Sequence, residues 1–123
     1  MGKTALIVDD SRTMRQMVAF TLTNAGFTVI EAEDGKDAVN KVSAGTKLDI
    51  IVTDLNMPEM DGITLIKELR RLTAYKFTPI LMLTTESAID KKKEGKEAGA
   101  TGWIIKPFNP EVLLKTIAKV LLA

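Results

Sequence analysis

The sequence predicts a doubly wound α/β domain, a five-stranded parallel sheet covered by helices on both faces. Three observations carry that expectation. Short runs rich in Val, Ile and Leu recur at residues 5–9, 28–32, 49–53, 79–84 and 102–105. A segment with helical spacing of apolar residues follows each run, so the chain reads as (βα)5, which calls for parallel strands and right-handed crossovers. The first, third and fourth runs are almost continuously apolar, as strands buried on both faces must be. With 123 residues and no Pro/Ser/Gly-rich linker or repeat, one domain spanning 1–123 is expected.

The helices follow in order. Met14, Met17, Val18, Thr21, Leu22 and Ala25 form the first apolar stripe, and Gly26 stops it. Ala38, Val39 and Val42 make a shorter stripe that ends at Gly45, and Leu65, Ile66, Leu69 and Leu72 make the third. The fourth segment, residues 88–98, is weak: Ile89 and Ala98 are apolar, but Lys91, Lys92, Lys93 and Lys96 dominate and Gly95 interrupts. Asn109 is positioned as an N-cap and Pro110 in the first turn of the last helix, whose apolar face is Leu113, Leu114, Ile117 and Leu121.

Composition narrows the chemistry. There is no Cys, which excludes a disulfide, a thiol nucleophile and a thiolate metal site. There is no His, which excludes an imidazole base and a serine-protease-type triad. A net charge of +1 argues against a broad grip on nucleic acid. The first apolar run is too short for a signal peptide, and no stretch approaches the roughly 20 apolar residues of a membrane span. Gly2 suggests myristoylation, but Leu6 stands where that motif needs Ser or Thr. A cytoplasmic protein without membrane or direct nucleic-acid partners is expected.

Ligands of doubly wound sheets bind beyond the carboxyl ends of the strands. There the first strand delivers Asp9 and Asp10, the third Asp54, the fourth Thr84 and Thr85, and the fifth Lys106. Two carboxylates 4 Å apart repel by about 4 kcal/mol at an effective dielectric of 20, so such a cluster needs cations. Lys106 is one, and Mg²⁺, which favours carboxylate, water and phosphate oxygens, suits the rest. An Asp beside Mg²⁺, a lysine and a hydroxyl is also the equipment for forming an aspartyl phosphate.

The ordered set of Asp9-Asp10, Asp54-Leu-Asn-Met-Pro-Glu-Met-Asp-Gly62, Thr84-Thr-Glu86 and Trp103-Ile-Ile-Lys-Pro-Phe108 resembles response-regulator receiver domains over nearly the whole chain. The resemblance is strongest to the stand-alone chemotaxis (CheY-like) type. It implies a flavodoxin-like fold with strand order 2-1-3-4-5. Asp54 would be the phosphoacceptor of a two-component signalling switch, taking the phosphoryl group from a histidine kinase. Mg²⁺ would be held by Asp10, Asp54 and the Asn56 backbone carbonyl, with Asp9 helping through water. Lys106 would pair with Asp54 or the phosphoryl group, Thr84 would swing to a phosphoryl oxygen, and Trp103 would follow it inward. Lys106-Pro107 would be a cis peptide, which only an X-Pro bond makes cheap.

Such a protein is a phosphoacceptor that promotes its own phosphotransfer and dephosphorylation, and is not an enzyme. Its output, on the fourth helix, fifth strand and fifth helix, would be a noncovalent contact with a target such as a flagellar motor switch component, with a phosphatase as a further partner and a monomer as the resting state. A phosphorelay shuttle and a regulator of a non-flagellar target are the alternatives. Trp103 departs from the usual tyrosine and Thr85 from the usual alanine, which bears on the docking partner and the phosphate lifetime. On residues alone Trp103 is equally a packing aromatic, Pro58 and Gly62 are ordinary loop chemistry, and Lys91–Lys93 form a solvated helix face. A dehalogenase-type phosphatase needs a second Asp where Asn56 stands, and a flavodoxin-like mononucleotide binder needs a Ser/Thr/Gly-rich loop where Asp9-Asp10 stand.

Overall fold

In the computed structural model, which describes residues 2–42 and 44–122, strands and helices alternate. The order is β1 (Thr4–Val8), α1 (Arg12–Asn24), β2 (Thr28–Ala32), α2 (Gly35–Val42), β3 (Ile50–Thr53) and α3 (Gly62–Arg71). A short 3-10 turn (Thr73–Tyr75) precedes β4 (Ile80–Thr84), α4 (Ile89–Ala98), β5 (Gly102–Ile105) and α5 (Pro110–Leu122). Met1, Ser43 and Ala123, and with them both ends of the expected 1–123 domain, lie outside the described residues. All four strand pairings are parallel and the order is β2-β1-β3-β4-β5, as the resemblance implies.

Period-two alternation splits the core into two layers. Ala5 and Ile7 of β1, Ile50 and Val52 of β3, and Leu81 and Leu83 of β4 meet Val18 and Leu22 of α1 and Leu113 and Ile117 of α5. Their neighbours Leu6, Val8, Ile51, Ile80 and Met82 point the other way, onto Ala38, Val42, Leu65, Ile66 and Leu69. Each such side chain is essentially buried, and each Val, Leu, Ile or Met among them contributes about 1.5–3 kcal/mol. Both faces being covered is why these strands read as unbroken apolar runs. β2 is at the sheet margin and only Ala32 of it is buried.

The helix boundaries follow local chemistry. Ser11 Oγ accepts from the Met14 N–H (3.3 Å) and Asp61 Oδ1 from the Thr64 N–H (2.8 Å), opening α1 and α3. Asn109 Oδ1 accepts from the Glu111 and Val112 N–H groups (2.8 and 3.3 Å), the cap expected for α5. Gly26, at φ 96°, turns the chain out of α1 into β2. The weak fourth segment is a full helix, and Gly95 lies inside it, buried, without breaking it.

Opposite the carboxyl ends of the strands, Arg70 ties together the two connections that lead into β4 and β5. Its guanidinium donates to the carbonyls of Tyr75 (2.7 Å), Thr78 (2.6 Å) and Gly99 (2.7 Å from Nη2). The buried Tyr75 hydroxyl shares its proton between the carbonyls of Val42, the last residue of α2, and Thr46 on the loop that follows.

Candidate functional site

Ladder hydrogen bonds continue one residue past the strands and bring the chemistry together. The Asp9 N–H donates to the Ala32 carbonyl (3.2 Å), the Asp54 N–H to Val8 (2.9 Å) and the Lys106 N–H to Thr84 (2.8 Å). In this register Val8 lies beside Thr53 and Thr84 beside Ile105, so Asp9, Asp54 and Lys106 emerge at one edge. Asp9, Asp10 and Asp54 each offer a carboxylate oxygen, all within 4.8 Å of one another.

Asp9 and Asp54 are buried, whereas Asp10 is exposed. Lys106 Nζ bridges the buried pair, 2.9 Å from Asp9 Oδ2 and 3.3 Å from Asp54 Oδ2. Its closer partner is Asp9, although the sequence resemblance pairs it with Asp54. The remaining oxygens are held too: Asp9 Oδ1 accepts from the Ser11 N–H (2.8 Å) and Asp54 Oδ1 from the Leu55 N–H (2.7 Å). Burial raises the Asp9 carboxyl above its ordinary 3.8 despite the bonds from Lys106 and Ser11, and the Asp54 charge pushes the same way. Two close carboxylates at this dielectric and one ammonium leave room for further positive charge.

The donor set fits a hard divalent cation. Carboxylates and backbone carbonyls suit Mg²⁺, which takes few protein oxygens and keeps several waters. Asp9 is already engaged at both oxygens, by Ser11 and Lys106, whereas Asp10 is exposed to solvent. Asn56, whose carbonyl is the backbone candidate, lies exposed on the loop after Asp54.

Thr84 is buried at the end of β4, and its Oγ1 accepts from the Glu86 N–H at 3.2 Å. Trp103 is half-buried on β5 and its Nε1–H donates to the Glu86 carbonyl at 2.9 Å. Thr85 and Lys91–Lys93 are exposed. Lys106-Pro107 is cis, as expected.

The profile of the response regulator receiver domain family matches residues 5–118. The chain belongs to that family. Among curated relatives, "Chemotaxis protein CheY1" of Helicobacter pylori is 41% identical over 94% of each chain, and a "Chemotaxis protein CheY homolog" of Campylobacter jejuni is 40% identical over 94% of this chain and 90% of that one. Among solved structures, Vibrio cholerae chemotaxis protein CheY4 superposes with a TM-score of 0.93 at 52% identity, over 98% of this chain and 99% of that one. A Burkholderia multivorans response regulator protein superposes at 0.79 with 45% identity, over 98% and 95%.

Two features of this receiver domain go beyond the sequence reading. Gly62 is more than loop chemistry, because a Cβ there would lie 2.3 Å from the Asp54 carbonyl oxygen. Its N–H also donates to the Leu55 carbonyl (2.7 Å), so the peptide after Asp54 is clamped onto the start of α3. A glycine directly after the Asp61 cap was the available signal. Arg15, never singled out, donates from Nη1 to the Asp9 carbonyl (2.7 Å) and pairs with Glu31. Among the described residues, no helix is long and apolar enough to cross a membrane.

Proposed function

We propose that this receiver domain is a phosphorylation-driven switch in which Asp54 takes a phosphoryl group from a phosphohistidine of a partner kinase. The observation that carries the reading is the Asp9–Asp10–Asp54 cluster with Lys106 Nζ between its two buried members. A carboxylate oxygen of Asp54 attacks phosphorus as the P–N bond breaks, and the leaving imidazole keeps the electron pair. Mg²⁺ held by Asp10, Asp54 and the Asn56 carbonyl, with Asp9 reached through water, would neutralise charge on the phosphoryl oxygens. Lys106 is close enough to both carboxylates to move from Asp54 to the new phosphoryl group without leaving Asp9.

Thr84 completes the switch. A hydroxyl that accepts, as Oγ1 does from the Glu86 N–H, still carries one proton to donate, so turning it toward a phosphoryl oxygen would pull on the segment tied to Trp103. Phosphorylation shifts the population of the α4, β5 and α5 surface only by as much as these contacts favour one arrangement. The domain as a whole, 1–123, acts as the phosphoacceptor unit in the cytoplasm. Similarity to proteins named for chemotaxis favours an output of that kind, through a protein target such as a motor switch component. A phosphatase would complete the cycle.

The test is labelling with acetyl phosphate and Mg²⁺, read by intact mass. One added phosphoryl group, absent in Asp54→Ala, is expected; equal labelling of that variant removes Asp54 from the role. Lys106→Ala should still be labelled while the Trp103 emission stops responding.

A further inference from the structure

Helix α4 carries a glycine where a helix gains nothing from one. Glycine is among the poorest residues for a helix interior, and Gly95 sits in the middle of Ile89–Ala98, buried, with a lysine-rich exterior around it. What faces it is the Trp103 indole of β5. A Cβ built on Gly95 would lie 2.7 Å from Trp103 Cζ3 and 3.3 Å from Cε3, so the six-membered ring rests against the bare backbone of the helix. In that seat the other end of the ring, Nε1–H, reaches the Glu86 carbonyl at 2.9 Å, and the Glu86 N–H in turn meets Thr84 Oγ1 at 3.2 Å. The indole also has somewhere else to go. A cavity of about 270 Å³ opens beside it, lined by Lys92, Lys96, Ala100, Thr101, Gly102 and Trp103 itself.

We propose that Gly95 is the positioning residue for Trp103: its missing side chain is the seat that keeps the indole turned in and bonded to Glu86. Residue 95 therefore sets how firmly the Thr84–Glu86 segment is tied to β5, although it touches none of the carboxylates. A methyl group at 95 closes the seat. The ring then leaves toward the neighbouring cavity, and the Nε1–H loses its carbonyl to water. Only this last link, from Glu86 to Thr84, rests on the switch reading above; the seat itself does not.

Trp103 is the sole tryptophan, so its indole N–H signal and its emission report this one ring. In Gly95→Ala the indole N–H should exchange with deuterium at least tenfold faster than in the parent, and the emission should shift to the red with easier acrylamide quenching. Unchanged protection and emission in Gly95→Ala would overturn the proposal. Gly95→Ala is also made in a Trp103→Val background, where the seat is empty. There alanine should raise the melting temperature, as expected for a better helix former, while in the Trp103 parent it should lower it. Equal destabilisation in both backgrounds, or failure of both to fold, would show that the glycine serves something other than the indole. Acetyl phosphate with Mg²⁺ separates the two readings. Gly95→Ala should still take one phosphoryl group by mass, but its emission should no longer respond, because the methyl group bars the ring from its seat whether or not Asp54 is phosphorylated. Absence of labelling in the parent defeats the phosphoacceptor role of Asp54 and leaves the seat result standing.

Discussion

Replacing Lys106 by methionine keeps most of the aliphatic stem and removes the ammonium from between Asp9 and Asp54. At an effective dielectric of 20, each pair of carboxylates within 4.8 Å repels by about 3.5 kcal/mol or more, or about 10 kcal/mol for the three pairs of the cluster. On the same scale Lys106 attracts Asp9 at 2.9 Å and Asp54 at 3.3 Å by a total of about 11 kcal/mol. The terms nearly cancel, so the lysine is what makes the cation-free cluster tolerable. Its loss should cost about 3–5 kcal/mol of folding free energy, less than the bare Coulomb figure because a carboxyl takes up a proton. The proton should go first to Asp9, which burial already holds above 3.8. A raised carboxyl contributes its stability below its unfolded value and loses it as pH rises. The deficit of the variant should therefore be largest at neutral pH and shrink on acidification through the carboxylate range. Urea unfolding followed by far-UV circular dichroism, in EDTA and then in millimolar Mg²⁺, measures it. Mg²⁺ should narrow the gap, since a bound divalent ion substitutes for the missing charge. A variant within about 0.5 kcal/mol of the parent in EDTA at neutral pH would refute the argument that Lys106 balances this cluster.

Gly62→Ala places a methyl 2.3 Å from the Asp54 carbonyl oxygen, a backbone atom that cannot step aside. It should cost about 3 kcal/mol by denaturant titration and lower acetyl phosphate labelling with it; a change under 1 kcal/mol contradicts the clamp. Tyr75→Phe removes donation to the Val42 and Thr46 carbonyls and should cost about 1–2 kcal/mol at neutral pH. Burial pushes the Tyr75 phenol above its ordinary 10.0, so the parent holds this contribution below that pH and loses it as pH rises further. Melting temperature should therefore fall less at alkaline pH in Tyr75→Phe than in the parent, and parallel pH profiles would contradict this role of the phenol. Arg70→Lys keeps the charge but cannot span the carbonyls of Tyr75, Thr78 and Gly99, and should cost about 2 kcal/mol; thermal unfolding unchanged from the parent would argue against the tie.

The strands were legible because burial on both faces leaves a signal in every residue, as in Leu6–Ile7–Val8 and Ile50–Ile51–Val52. Asp9, Asp54 and Lys106 were legible because each follows directly on a strand, so the topology alone gathers them. Helix α4 read as weak for a physical reason: its buried contact is Gly95, a residue with no side chain to register in a hydrophobic pattern. Gly62 and Gly95 share that cause, since a close approach is visible only once the approaching group, a carbonyl or an indole, is in place. The preference of Lys106 for Asp9 depends on differences of a few tenths of an ångström that spacing does not encode. Arg70 was silent because backbone carbonyls, its partners, are common to every residue.

That arginine gives α4 two unlike ends. At its C-terminal end the Gly99 carbonyl is moored to Arg70, and through it to Tyr75 and Thr78. At its N-terminal end the helix begins three residues after Glu86, and Ala88 makes no side-chain cap bond to it. Ten residues at 1.5 Å each make a rod of about 15 Å, so under the switch proposed above a small pull on Glu86 would become a swing about the moored end. In such a swing displacement would be greatest at Ile89–Lys92 and would fade toward Lys96. A partner that grips the first turn would feel the state of the carboxylate edge in full, and one that grips the last turn would bind both states alike.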